Sequence, residues 1–224
     1  MSTVLIVAAH SDDEALGCGG TIARHVLIGD TVFAISFTDG IGAREGSDDY
    51  AIAARESAAK ESARILGFSW YAAGSFPDNM LDDVPLLDIV RFIESAKSAV
   101  TPDIVYTHSA ADLNIDHRKV CEAVLTAFRP QPGEYCREIR CFEIASATDF
   151  GHESVTGAFR PNLFINIKET WPKKLQALKV YSGEMRAAPH IRSVEGLAAL
   201  AQLRGMQTGL EMAEAFEVLR RVEI

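Results

Sequence analysis

Thr3 to Ala9 is almost wholly apolar and ends abruptly at His10-Ser11-Asp12-Asp13-Glu14. A run without polar alternation is buried on both faces, which is how strands read inside a parallel sheet covered by helices. A second strand-like run, Asp103 to Thr107, leads into His108 and then Asp112-Leu113-Asn114-Ile115-Asp116-His117-Arg118. Each run therefore delivers a cluster of imidazoles and carboxylates to its carboxyl end. Ligands of open α/β sheets bind beyond those ends, where strand order reverses. One fold can bring the two clusters together.

The rest of the chain alternates apolar runs with helix-period segments, the signature of an α/β layered fold. Helices are expected from about Asp12 to Leu27, Tyr50 to Leu66, Pro85 to Val100, His117 to Phe128, Trp171 to Tyr181 and Val194 to Gln207, with a last short one over Glu211 to Leu219. Strands are expected at Thr31 to Thr38, Ser69 to Ala72, Arg137 to Ala145 and Phe159 to Ile167. Ser11 and Glu14 have the Ser-x-x-Glu spacing of a capping box at the start of the first helix. Gly42 to Ser47 and Phe76 to Val84 read as loops. With 224 residues and no repeat or low-complexity tract, residues 1–224 are expected to form one domain.

The formal net charge of −9 argues against a general nucleic-acid binder, which needs a basic face to displace counterions. No segment has transmembrane length, and nothing at the amino end resembles a signal peptide. The four cysteines are scattered without a C-x-x-C pair, as expected of reduced thiols in a cytoplasmic protein.

The two clusters carry the chemistry. A catalytic zinc commonly takes three protein ligands and leaves a position open. His10 and Asp13 straddle a strand-to-helix turn and can face one point, and His117 supplies a third donor. Asp12 and Asp13 point roughly 100° apart on a first helical turn, so one can bind metal while the other faces water. Acidic residues after a serine are also ordinary helix-start chemistry, so the pairing with the second cluster decides the reading. Asp112 and Asp116 are candidates to accept the outer ring proton of a ligating histidine, and His108 to line the pocket. The run Asp112-x-Asn114-x-Asp116 lacks the glycine and glutamate of a calcium loop. Gly17-Cys18-Gly19-Gly20 is no dinucleotide fingerprint and suits close packing of a helix on the sheet. His25 is expected to be structural, and His152 is uninformative. His190, Arg55 and Arg192 are pocket candidates; Arg44 and Arg118 are ordinary surface or ion-pair residues unless they orient an anionic substrate.

At this point the residues resemble the PIG-L/LmbE-like family of zinc-dependent N-deacetylases. Ala9-His10-Ser11-Asp12-Asp13-Glu14 stands where its A-H-P-D-D-E motif does, and Asn114-Ile115-Asp116-His117 where a later H-x-D-H does. Thr38-Asp39-Gly40, Arg55-Glu56, Pro189-His190-Ile191-Arg192-Ser193 and Ala213-Glu214-Ala215-Phe216 are similar to further family positions. The resemblance implies a Rossmann-like αβα sandwich with a mostly parallel sheet. It implies removal of acetate from an N-acetylated sugar, such as an N-acetylglucosamine glycoside or a nucleotide sugar. It further implies zinc on His10, Asp13 and His117, Asp12 as general base, and assembly as a homo-oligomer. Ser11 replaces the usual proline. Asn114 replaces a histidine that stabilises the oxyanion or protonates the leaving amine; asparagine can donate a hydrogen bond but not a proton. Asp12, His108 and His190 are the candidates for that proton. Competing readings are a metal-dependent hydrolase of phosphate or carboxylic esters and a non-catalytic carbohydrate binder. His/Asp ligation also admits iron, cobalt or nickel.

Overall fold

A computed structural model describes residues 1–43, 46 and 48–223. Arg44 and part of the loop expected over 42–47 lie outside the described residues. The strands are β1 (Thr3–Ala8), β2 (Thr31–Ser36), β3 (Ser69–Ala73), β4 (Ile104–His108), β5 (Glu138–Phe142), β6 (Leu163–Asn166) and β7 (Ala213–Arg221). The helices are α1 (Asp13–Leu27), α2 (Asp49–Leu66), α3 (Leu86–Val100), α4 (Ile115–Ala127), α5 (Glu153–Thr156), α6 (Trp171–Val180) and α7 (Val194–Met206). Among the described residues, no helix is long and apolar enough to cross a membrane.

The strands form one sheet in the order β3-β2-β1-β4-β5-β7-β6. The first five run parallel, and β7 is antiparallel to both β5 and β6. Helices cover both faces. Val4 and Ile6 of β1 pack with residues of α1, α2, α6 and α7. Leu5 and Val7 pack on the other face with residues of α3 and α4. Successive side chains of a strand point to opposite faces, so an unbroken apolar β1, fully buried from Val4 onward, feeds two cores at once. The α/β sandwich is as expected, and strand order reverses between β1 and β4.

The carboxyl-terminal segment differs from expectation. Glu211 to Leu219 contains good helix formers, yet Ala213–Arg221 is a strand. Pairing on both edges, with β5 and β6, satisfies its backbone, while Phe216 enters the core; tertiary context overrides propensity there.

Helix α1 is broken at Cys18, whose φ of −144° is not helical. A buried ion pair fills the break. Glu214 of β7 accepts from the Gly20 and Thr21 amides at 2.9 and 2.7 Å, and Lys174 of α6 donates to Glu214 at 2.6 Å and to the Leu16 carbonyl at 2.8 Å. The glycines have the expected packing role: a Cβ on Gly17 would overlap the Phe142 ring, and one on Gly20 would stand 2.8 Å from Ile167.

Candidate metal centre

His10 follows the carboxyl end of β1, Asp12 and Asp13 open α1, and His117 lies in the first turn of α4. Three of their atoms converge. His10 Nδ1 is 3.1 Å from Asp13 Oδ2 and 3.3 Å from His117 Nε2, and His117 Nε2 is 3.4 Å from Asp13 Oδ2. Ligands about 2.0–2.1 Å from a tetrahedral zinc stand roughly 3.3 Å from one another. The three atoms therefore already have the spacing of three corners of a zinc site. His10 also belongs to a second set of convergent donors, with Asp78 and Asp116. The two sets use opposite sides of one imidazole, since Asp116 Oδ2 and Asp78 Oδ1 lie 3.1 and 3.3 Å from His10 Nε2.

The carboxylates of the second set are engaged elsewhere. Asp116 accepts from the Asn79 and Leu81 amides at 2.8 and 3.0 Å. Asp78 accepts from the Thr38 hydroxyl at 3.0 Å and the Ala43 amide at 3.2 Å. They orient the ring, and the first set is the better cradle for a cation. Asp112 Oδ2 stands 3.1 Å from His117 Nδ1, off the hydrogen-bond axis, and accepts from the Thr148 hydroxyl at 2.7 Å. Both histidines thus have a carboxylate on the side away from the cluster, and at His10 the hydrogen bond to Asp116 is the arrangement that fixes a ligating imidazole.

The local electrostatics suit a cation. Burial pushes the Asp13 carboxyl up, but His117, His108 and His10 outweigh it and hold Asp13 well below the usual carboxylate range. Burial opposes charge on His117, yet Asp13 and Asp112 raise it to about 9. A carboxylate that draws protons onto its imidazole neighbours draws a divalent ion to the same place.

Asp12 faces the same cavity. The cavity measures about 100 Å³ and is walled by His10, Asp12, Asp13, His117, Arg55, Asn114 and others. Arg55 Nη2 lies 3.1 Å from Asp12 Oδ1 and its Nη1 2.9 Å from Glu184 Oε1. Arg192 Nη1 is 3.9 Å from both Asp12 Oδ2 and Glu184 Oε2. Burial raises the Asp12 pKa, with Arg55 opposing.

Several expectations need correction. Ser11 does not cap α1: Asp12 is the N-cap residue and makes no side-chain capping bond. Asp13 Oδ2 instead reaches back to the His10 amide at 2.9 Å. Glu14 makes no capping box. Its Oε1 accepts from Ser62 and Tyr181, each at 2.8 Å, and burial raises it to about 7. Helix α4 begins at Ile115, with Asn114 capping it through the Asp116 amide at 2.8 Å. His108 does not line the cavity. It accepts from the Ala9 amide at 2.9 Å and stacks on His117 at 3.9 Å, supporting that ring from behind. His190 is not in the wall either; its Nδ1 accepts from the Arg192 amide at 3.0 Å and shapes the loop that carries Arg192. Arg118 holds the Asp112 and Leu113 carbonyls. His25 is structural, bonded to Asp30 and Tyr106.

Asp78, Asn79 and Glu184 also stand at the site, without a motif in the sequence that singles them out. Pro77-Asp78-Asn79 has turn chemistry that could have marked the first two, whereas nothing around Glu184 signals a site.

The PIG-L model, described as GlcNAc-PI de-N-acetylase, matches residues 5–128. A relative from Bacillus anthracis, "Probable N-acetyl-alpha-D-glucosaminyl L-malate deacetylase 2", is 27% identical over 188 residues, covering 81% of this chain and 80% of that protein. The 4-oxalmesaconate hydratase of Pseudomonas putida is 28% identical over 204 residues, covering 81% and 74%. The crystal structure of the conserved protein TT1542 from Thermus thermophilus superposes with a TM-score of 0.77 at 25% identity, covering 100% of this chain and 97% of that one. A family model that spans more than half of the 224 residues and contains both donor clusters places the chain in the PIG-L family.

Proposed function

We propose that the chain is a metal-dependent N-deacetylase that hydrolyses the acetamide of an N-acetylated sugar, with zinc as the metal. The observation that carries this reading is the trio of donor atoms 3.1 to 3.4 Å apart beside a separate buried carboxylate, Asp12. The family description and the Bacillus anthracis relative supply the substrate class.

His10, Asp13 and His117 would hold the ion, which supplies Lewis acidity toward an amide carbonyl and toward water. Asp12 takes a proton from the attacking water. Its burial favours keeping that proton until the nitrogen leaves, and the Arg55 contact holds one carboxylate oxygen in place. Asn114 donates a hydrogen bond to the oxygen that gains charge. The carbon–nitrogen bond then breaks, Asp12 returns its proton to nitrogen, and acetate and a free amine result. The alternative acids, His108 and His190, do not line the cavity.

The hydratase relative marks the competing outcome. Metal-quantified enzyme incubated with a panel of N-acetylated sugars should release acetate and amine in equal amounts. Water addition to 4-oxalmesaconate, with no acetate from any sugar, would overturn the deacetylase reading.

A further inference from the structure

We propose that Asn79 is a positioning residue for Asn114, and that the bond between the two side-chain amides holds an Asn114 N–H as a fixed, non-titrating donor at the mouth of the cavity. The inference rests on the deacetylase reading and deepens it.

The orientation of the Asn114 amide is set at both ends. Its Oδ1 accepts from the Asp116 amide at 2.8 Å, so the oxygen and nitrogen are distinguishable by their partners. Its Nδ2 donates to Asn79 Oδ1 at 3.0 Å. An asparagine amide has two N–H protons. Engaging one with Asn79 and anchoring the oxygen at the helix start leaves the second N–H as the remaining donor, on a residue that lines the cavity with His10, Asp13 and His117.

Asn79 is itself held for the task. Its φ of 53° is left-handed, a conformation that asparagine tolerates better than most residues. Its amide donates to Asp116 Oδ2 at 2.8 Å, and the Leu81 amide to Asp116 Oδ1 at 3.0 Å. The carboxylate that lies against His10 Nε2 therefore also fixes the turn that carries Asn79. A turn tied to the proposed metal ligand and a cap tied to the same helix meet in one amide–amide bond. That bond restrains Asn114, whose side chain would otherwise rotate at a half-exposed position. The pair supplies a donor whose strength does not change with pH, where an imidazole would titrate.

The test is a double-mutant cycle with Asn79→Gly, Asn114→Ala and the double variant, with Asn79→Asp as the conservative replacement. Glycine keeps the left-handed backbone and removes only the side chain. Asn114→Ala is expected to lower kcat by ~10²-fold or more, the loss seen when one oxyanion donor is removed. Asn79→Gly is expected to lower kcat roughly tenfold with KM unchanged, and the double variant to be no slower than Asn114→Ala, since coupled residues are not additive. Asn79→Asp keeps an acceptor for Asn114 Nδ2 and should recover most of kcat. Independently, the side-chain amide resonances of Asn114 in the zinc-loaded protein, identified by their loss in Asn114→Ala, should move in Asn79→Gly and return toward their original positions in Asn79→Asp. Additive losses in kcat, a change confined to KM, or unmoved Asn114 resonances would each overturn the proposal. If the wild-type protein releases no acetate, the deacetylase reading has failed and the oxyanion role falls with it; the resonances then decide the positioning role alone.

Discussion

Asp116 Oδ2 lies 3.1 Å from His10 Nε2, on the opposite side of the ring from the atoms that face Asp13 and His117. One carboxylate from α4, together with Asp78 Oδ1 at 3.3 Å, thereby orients an imidazole delivered by β1. A ring whose Nε2–H is engaged presents an unprotonated Nδ1 to a cation. Sheet order makes this possible, because β1 and β4 are neighbours at the point of reversal.

Replacing Asp116 by Asn should therefore weaken metal binding. Outer-shell partners of ligating histidines are worth ~10–100-fold in affinity. Competition with a chromogenic chelator reads this directly. An unchanged metal affinity would show that His10 does not need Asp116, Asp78 being left at 3.3 Å from the same ring nitrogen.

Asp12 is expected to behave in the opposite way. It lines the cavity but belongs to neither set of convergent donors. Asp12→Asn should retain the wild-type metal content while turnover falls by ~10²-fold or more, because a proton acceptor has been lost and a ligand has not. Metal analysis and acetate release on the same preparation separate the two effects. Full activity in this variant would remove Asp12 from the mechanism.

The buried pair of Lys174 and Glu214 holds the break in α1, between the Leu16 carbonyl and the Gly20 and Thr21 amides. Both side chains are nearly inaccessible. Removing one partner of such a pair leaves a buried charge and costs about 3–5 kcal/mol. Lys174→Met should destabilise the fold by that order in chemical denaturation. Adding Glu214→Gln should recover part of the loss, since the amide can still accept from Gly20 or Thr21. A Lys174→Met protein as stable as the wild type would mean that Glu214 is satisfied by α1 alone.

Much of this was legible in the sequence because it is written locally. A short unbroken apolar run closed by helix-start residues reads as an interior strand, and the residues after it then fall at the ligand-binding edge of the sheet. Gly67 marks the end of α2 by its left-handed φ of 87°, as a glycine after a helical run suggests. What was not legible depends on partners distant in the chain. Ser11 and Glu14 have capping-box spacing, but Ser62 and Tyr181 claim the Glu14 carboxylate and Asp13 turns back to His10. The last segment has helix-forming composition, but two waiting strand edges make it β7. Glu184 meets the site through Arg55 and Arg192, two arginines that the fold brings beside it.

Acid should destabilise the protein partly through His25. Its Nδ1 is 2.8 Å from Asp30 and its Nε2 2.9 Å from the Tyr106 hydroxyl, with Arg24 and Arg140 also close enough to bear on it. Burial lowers the His25 pKa, and the Asp30 bond only partly opposes this. A histidine lowered in the folded state takes its proton first in the unfolded chain, below about 6.5. The unfolded state then binds more protons, so stability is full above that pH and is lost as pH falls toward the folded value. Asp30, held below the usual carboxylate range by His25 despite burial, acts in the same direction only at more acidic pH, near and below about 4. His25→Gln keeps a hydrogen-bonding side chain and removes the titration. Its melting temperature should be lower than that of the wild type at pH 7.5, and the gap should narrow as pH is brought to 5.5. Taking the difference between the two proteins cancels the contribution of the His10 and His117 cluster, which both share. A gap that stayed constant over that range would mean that His25 is protonated equally in the folded and unfolded states.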